Sequence, residues 1–460
     1  MNTIKTIAAC AVSISATSLF LVNLAWAGLP IEQWTQASGA QVFLVQSPAI
    51  PMVDVQLDFD AGSRRDPANL AGLASVTAAM MSKGVQAGAS PAEPAMDENA
   101  LGEAWADLGA SFGGHASSDR MSFALRSLTY PDLLAQAVQL AARQLAQPAF
   151  PADVWQRERE AMQASIREAN TRPATLAGRA FNQAVYGTHP YGYEMTQESL
   201  ARIDVPHMAA WHRQSLLPCR AKVTVVGAVS RAQADALVTS LLSRLAVVPP
   251  LACPLQPPVP EVSPLTQASE SRIVFDSAQA HVLLGQPGFK RDDPDFFALT
   301  VGNYILGGGG FVSRLTEEVR EKRGLSYSVY SYFFPALHAG AFTVGLQTRP
   351  DQADQALQVA RDVLARFVTD GPTEAELKAA KANLIGGFAL RIDSNRKLLD
   401  NVANMAWNQL PLDYLDTWTQ QVDKLTTAQI RAAFQRKLQP QRMATVVLGG
   451  AASTRSGATD

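Results

Sequence analysis

The sequence predicts an α+β protein built from two similar domains of sheet packed with helices, and three observations carry that expectation. The chain has 460 residues and 47% hydrophobic content, more than one ordinary domain holds. Seven prolines fall between Pro249 and Pro264; a run of residues with fixed φ favours extended, semi-rigid backbone, so the chain divides there. The two sides then repeat each other. Ala209-Ala210-Trp211, Pro218, Arg220 and Val223-Thr224-Val225-Val226-Gly227 on one side match Ala432-Ala433-Phe434, Pro440, Arg442 and Thr445-Val446-Val447-Leu448-Gly449 on the other. Each set reads as helix, turn and buried strand.

A second matched place precedes the first in each half. Glu103 is followed by Leu108-Gly109-Ala110-Ser111-Phe112, and Glu318 by Gly324-Leu325-Ser326-Tyr327. The domains are expected at 28–246 and 269–450, joined by a linker at 247–268, with a flexible tail at 451–460. Inside them, the alternation Val53-Asp54-Val55-Gln56-Leu57-Asp58-Phe59 marks a strand and residues 131–146 a long helix.

At the start, Lys5 precedes an apolar or small-residue run over 6–25, and Ala25-Trp26-Ala27 offers an A-x-A cleavage pattern before Gly28. Residues 1–27 therefore read as a signal peptide, and the mature chain is expected to be periplasmic or secreted. The run before Cys10 is too short for a lipoprotein signal. No later stretch has the length of a membrane span. A formal charge of −2 with scattered Lys and Arg gives no reason to expect nucleic acid as a partner. Cys219 and Cys253 remain after cleavage. An oxidising compartment would let them pair, and two unpaired packing thiols are the alternative.

The segment Asp58 to Gly84 carries the chemistry. A strand ends near Ala61, Asp66-Pro67 offers a helix N-cap, and Leu70, Leu73, Thr77, Met80 and Met81 follow at helical spacing. The stretch Gly72-Leu73-Ala74-Ser75-Val76-Thr77-Ala78-Ala79-Met80 resembles the pitrilysin/insulinase family of zinc peptidases, in which the same place reads G-L-A-H-x-x-E-H-M. In that motif residues i, i+3 and i+4 share one helix face. Two histidines hold zinc and the glutamate takes a proton from the zinc-bound water. Ser75, Ala78 and Ala79 stand in those places here and do neither. The family's third ligand is the second glutamate of an E-x6-E pair. Glu158 matches the first member and Ser165 stands at the ligand position. The resemblance thus implies no catalytic residue of its own and no metal bound by this chain. The six histidines show no replacement spacing; His207 and His212, five apart, fall on different helix faces.

Other matches cover most of the mature chain. Tyr186-Gly187-Thr188-His189-Pro190-Tyr191-Gly192 is similar to the loop after the third-ligand helix. Leu306 to Leu315, with glycines at 307–310, resembles the glycine-rich turn of the second domain. Ala110-Ser111-Phe112-Gly113-Gly114 is similar to the family's substrate-binding edge strand. Glu318 to Tyr330 matches best, and keeps Arg320 and Tyr327 at R-x6-Y spacing. In the family that pair reaches into the facing active site, binds substrate backbone and steadies the tetrahedral oxyanion.

The loss is complementary, with zinc ligands absent and the Arg-Tyr pair present. Some family members split the labour between two chains that close as a clamshell. The resemblance implies that this chain is the non-catalytic half, bound to a homologous zinc-bearing subunit and acting on unfolded peptides held in extended form. The alternative is an inert peptide-binding or structural protein of the same fold. A third reading, an active enzyme with another nucleophile, finds no Ser or Cys with an evident paired base.

Overall fold

Strand geometry sends alternate side chains to opposite faces, and Val53, Val55, Leu57 and Phe59 are all fully buried on one of them. The computed structural model describes residues 29–450 apart from 247, 250 and 251, and it sets this strand inside a six-stranded sheet. The strands are β1 (Ile31–Thr35), β2 (Gln41–Gln46), β3 (Met52–Phe59), β4 (Gly84–Val85), β5 (Met96–Asp97), β6 (Ser111–Ala116), β7 (Met121–Leu128), β8 (Lys222–Gly227), β9 (Ser269–Ile273), β10 (Ala280–Pro287), β11 (Ser328–Phe333), β12 (Ala341–Thr348) and β13 (Ala444–Leu448). One sheet runs β1-β2-β8-β3-β7-β6 and the other β11-β12-β10-β13-β9, while β4 and β5 pair by themselves. The segments 1–27 and 451–460, expected to be signal peptide and tail, lie outside the described residues.

The two sheets share one topology. β6 and β11 are the outer edges, β7 and β12 come next, and β3 and β10 follow. The repeated apolar runs become β8 and β13, each antiparallel to the strand on one side and parallel to β2 or β9 on the other. β1 has no counterpart. β11 opens at Ser328, two residues after the Ser326 that the sequence match aligns with Ser111. The Ser326 hydroxyl is engaged instead with the carbonyls of Ser328 and Gln347, which makes 325–327 a connector.

Each half covers the other's sheet with one helix. The helix Pro173–Tyr186 lies on β10 and β13, where Ala177, Phe181 and Val185 pack with Val446 and Leu448. In return the helix Asn395–Trp407 lies on β8 and β3. Lys222 Nζ donates to the carbonyls of Ala406, at 2.8 Å, and Trp407, closing that helix's C-terminus where carbonyls lack internal partners. Arg120 bridges buried Asp58, at 3.1 Å, and the Ala403 carbonyl. Burial raises the Asp58 carboxyl above its ordinary range even though Arg120 and Ser122 pull it down.

The Tyr186–Gly192 loop clasps the halves together. Tyr186 accepts from the Ala341 N–H at 2.8 Å, and Tyr191 donates to Asp119 at 2.6 Å while accepting from the His338 N–H. Asp119 also receives Arg64 and the Leu337 N–H. Cys219 and Cys253 form a disulfide with Cα atoms 6.1 Å apart, so the pairing alternative holds and the linker is tied to the turn before β8. Among the described residues no helix is long and apolar enough to cross a membrane.

Candidate functional site

The degenerate zinc helix is Leu73–Met80. Asp66 caps it from a distance: its carboxylate accepts from the N–H groups of Gly72 and Ala74 at 2.8 and 3.0 Å. A short turn over Ala68–Leu70 separates it from the N-cap position, which Gly72 holds with φ 101°. Only glycine adopts that conformation freely. Burial pushes the Asp66 carboxyl up to about 7 against these bonds.

Ser75 and Ala79 share the partly exposed face of this helix, Ala78 is buried, and Ser165 is exposed on the helix Ala152–Ala169. No ligand chemistry is present at these positions, since an alanine methyl offers no lone pair and a neutral hydroxyl is a poor zinc donor. Glu158, which matches the family's motif, is held by Lys83 at 3.2 Å and Arg157 at 3.1 Å. Lys83 is also bound to Glu98, and that hydrogen bond raises its pKa. A lysine ammonium therefore sits against the retained glutamate, and the residues present do not fit a zinc ion. Among the described residues no three His, Cys, Asp or Glu side chains are grouped as a metal would require. His212 is buried on the Leu145 carbonyl and His207 pairs with Asp204.

The Arg-Tyr segment is built differently. Tyr304–Gly308 and Thr316–Glu321 are wide helical turns, marked by i→i+5 bonds from Gly309 to Tyr304 and from Lys322 to Glu317. Such turns occur in short pieces, often at functional sites. Within the first of them, Gly307 passes so close to β11 that a Cβ there would lie 2.4 Å from Ser331 Oγ. Asn303 completes the junction, donating to the Ser331 carbonyl and accepting from its hydroxyl. Gly324, with φ 61°, turns the chain from the Arg320 helix into the Tyr327 connector, and Leu325 and Val319 anchor that turn in the core.

Arg320 and Tyr327 are brought together. The Arg320 guanidinium lies 5.0 Å from the Tyr327 ring centroid and 4.7 Å from that of Phe311. Among the described residues its one ionic neighbour is Glu321, at 3.3 Å from Nε. Glu317 and Glu318 are taken by Lys322 and Arg323. Tyr327 is 82% exposed, and Tyr330, Tyr332 and Phe334 continue an aromatic strip along the edge strand β11. Sequence reasoning missed this strip and Phe311. Two exposed apolar residues directly after four glycines were the available signal.

Glu376 steadies the same turn. It accepts from Arg314 through both oxygens, at 2.6 and 2.7 Å, and from the Thr373 N–H at 2.7 Å. Burial works to raise its pKa, but these bonds outweigh it and hold the carboxyl at about 2. A depressed pKa stabilises the fold above the ordinary value of 4.5 and loses that contribution as pH falls towards 2. Glu376→Gln is expected to destabilise the protein at pH 7 by about 1–2 kcal/mol. The gap to the unaltered protein should narrow between about pH 4.5 and 2. Urea melts at several pH values check this, and a pH-independent gap would contradict it.

Two like halves, helices exchanged across their sheets, and a zinc-motif helix without ligands define a peptidase-like scaffold whose zinc positions are degenerate among the described residues. Residues 41–199 match the insulinase (peptidase family M16) model and residues 202–384 the peptidase M16 inactive domain model. A crystal structure of a peptidase M16 inactive domain from Pseudomonas fluorescens is 34% identical, with a TM-score of 0.85 over 92% of this chain and 98% of that one. The chain belongs to the M16 peptidase family, with Ser75, Ala78, Ala79 and Ser165 at the positions of that family's zinc site. An uncharacterised zinc protease of Mycobacterium leprae is 27% identical over 92% of each chain. A Helicobacter pylori protein named a non-peptidase homolog is 25% identical over 85% of this chain and 87% of its own length.

Proposed function

We propose that this chain is the non-catalytic subunit of a heterodimeric zinc metallopeptidase that degrades or processes unfolded peptides, and that it lends Arg320 and Tyr327 to the active site of a homologous zinc-bearing partner. The observation that supports this most is how Arg320 is held. Two aromatic rings position the guanidinium, and no side-chain acceptor among the described residues caps its terminal nitrogens. The four N–H donors on the terminal nitrogens are thus free for a peptide carbonyl or an oxyanion. The exposed Tyr327 hydroxyl adds a phenolic donor beside them. Zinc belongs to the partner in this reading, because Ser75, Ala79 and Ser165 offer it no ligands.

The isolated chain is expected to hold no stoichiometric zinc and to cleave no peptide. Mixed with a zinc-bearing homologue, it should restore chelator-sensitive digestion of an unfolded peptide. Elemental analysis and a digestion assay decide the matter, and tightly bound zinc with activity in the isolated chain would overturn the proposal. Peptide binding without any activating partner would instead favour the inert peptide-holding reading.

Export is part of the same proposal. The Ala25-Trp26-Ala27 pattern supports cleavage before Gly28, and the Cys219–Cys253 bond is of the kind that persists in an oxidising compartment. Intact mass of the exported protein is expected to begin at Gly28 and to rise by two hydrogens on reduction. A mass retaining residues 1–27 would contradict export by this route.

A further inference from the structure

Phe311 is 72% exposed, so its ring contributes little to burial, yet the turn that carries it is tightly fixed. Gly310 takes φ 62°. Ser313, fully buried, donates from its hydroxyl to the Gly310 carbonyl at 2.8 Å, and Gly309 donates to the Tyr304 carbonyl. On the far side of the turn, Arg314 is locked by Glu376 and the Gly371 carbonyl. A rigid turn thus holds a large apolar ring in water, and the ring's charged neighbour is Arg320, with Cζ 4.7 Å from the centroid.

The carboxylates around Arg320 leave it little other guidance. Glu317 and Glu318 are spent on Lys322 and Arg323, and Glu321 approaches only Nε. A free arginine side chain samples many rotamers, and fixing it late, when substrate arrives, weakens binding. Two ring contacts, at 4.7 and 5.0 Å, fix the guanidinium beforehand and take none of its hydrogen-bond donors.

We propose that Phe311 is a positioning residue: together with Tyr327 it holds the Arg320 guanidinium and pre-orients its donors towards the substrate. This rests on the role proposed above for Arg320. Tyr327 gives the guanidinium one ring contact at 5.0 Å, and Phe311 adds a second at 4.7 Å.

The test is a double-mutant cycle on the assembled complex with the zinc-bearing subunit, using an unfolded peptide substrate. Phe311→Ala is expected to lower kcat/KM by about two- to fivefold, the range of an exposed cation–π contact. Phe311→Tyr should restore it, because the ring is kept. In an Arg320→Ala background, Phe311→Ala should cost nothing more. In the isolated chain, the ring-current shift of the Arg320 side-chain protons should shrink in Phe311→Ala to the part that Tyr327 supplies, with the melting temperature unchanged. If Arg320→Ala itself leaves activity intact, the proposed function fails. If Arg320→Ala is damaging but Phe311→Ala is silent, or equally costly with Arg320 already removed, only the positioning role fails. A lowered melting temperature in Phe311→Ala would assign the ring to folding and overturn the role as well.

Discussion

Tyr327→Phe is expected to cut peptide turnover by the assembled complex about a hundredfold or more, the usual cost of removing one oxyanion donor. The substitution deletes a single hydroxyl and keeps the ring that stacks on Arg320 at 5.0 Å. Because Tyr327 is 82% exposed, its loss should change stability by no more than about 0.5 kcal/mol. Arg320→Ala should be at least as damaging, since it removes the charge together with the fork of donors. Zinc content and heterodimer formation should be unaffected in both, because in this proposal the pair contacts substrate and neither residue is a zinc ligand. Steady-state kinetics beside a size-exclusion profile provide the measurement. Full activity in both variants would show that the pair does no catalytic service, and loss of the complex would place it in the interface.

The ligand-free zinc helix is legible from sequence because its spacing is local. Positions i, i+3 and i+4 share a face of any helix, so Ser75, Ala78 and Ala79 announce their inability without a structure. The strand β3 is half legible. Its alternation marks a strand, and Val53, Val55, Leu57 and Phe59 are indeed fully buried. The opposite parity, Asp54, Gln56 and Asp58, is buried as well. It is satisfied by Arg126, Arg120 and Ser122, beneath a helix that begins at Asn395. No local pattern shows a cover arriving from more than 300 residues away. Asp66 fails for a similar reason: the sequence marks a capping residue, but only the turn at Ala68–Leu70 shows that it reaches the helix from six residues before Gly72. Phe311 escaped because exposed apolar residues in turns are common, and its meaning lies in a partner nine positions later.

Phe181→Ala is expected to weaken the union of the two halves more than the fold of either one. Phe181 belongs to the first half by sequence but is 3% exposed on the sheet of the second. Gly285 of β10 leaves it room, since a Cβ there would come within 2.8 Å of its ring. Truncating a buried phenylalanine costs about 3–5 kcal/mol, part transfer and part cavity. Here that loss falls on the helix Pro173–Tyr186, whose removal from β10 and β13 would leave Val446 and Leu448 uncovered. Because the halves exchange helices in both directions, the unaltered protein should melt in one calorimetric peak. Phe181→Ala should lower that peak and divide it in two. Phe367→Ala is the control: an equally buried ring inside the second half, whose loss should lower the melting temperature without dividing the peak. A partner's active site needs Arg320 held at a fixed angle to the first half, so turnover by the complex should fall in Phe181→Ala at temperatures well below melting and stay near normal in Phe367→Ala. A single, unmoved peak in Phe181→Ala would mean that the exchanged helix contributes little, with the Tyr186–Gly192 clasp and the Asn395–Trp407 helix sufficient to hold the halves.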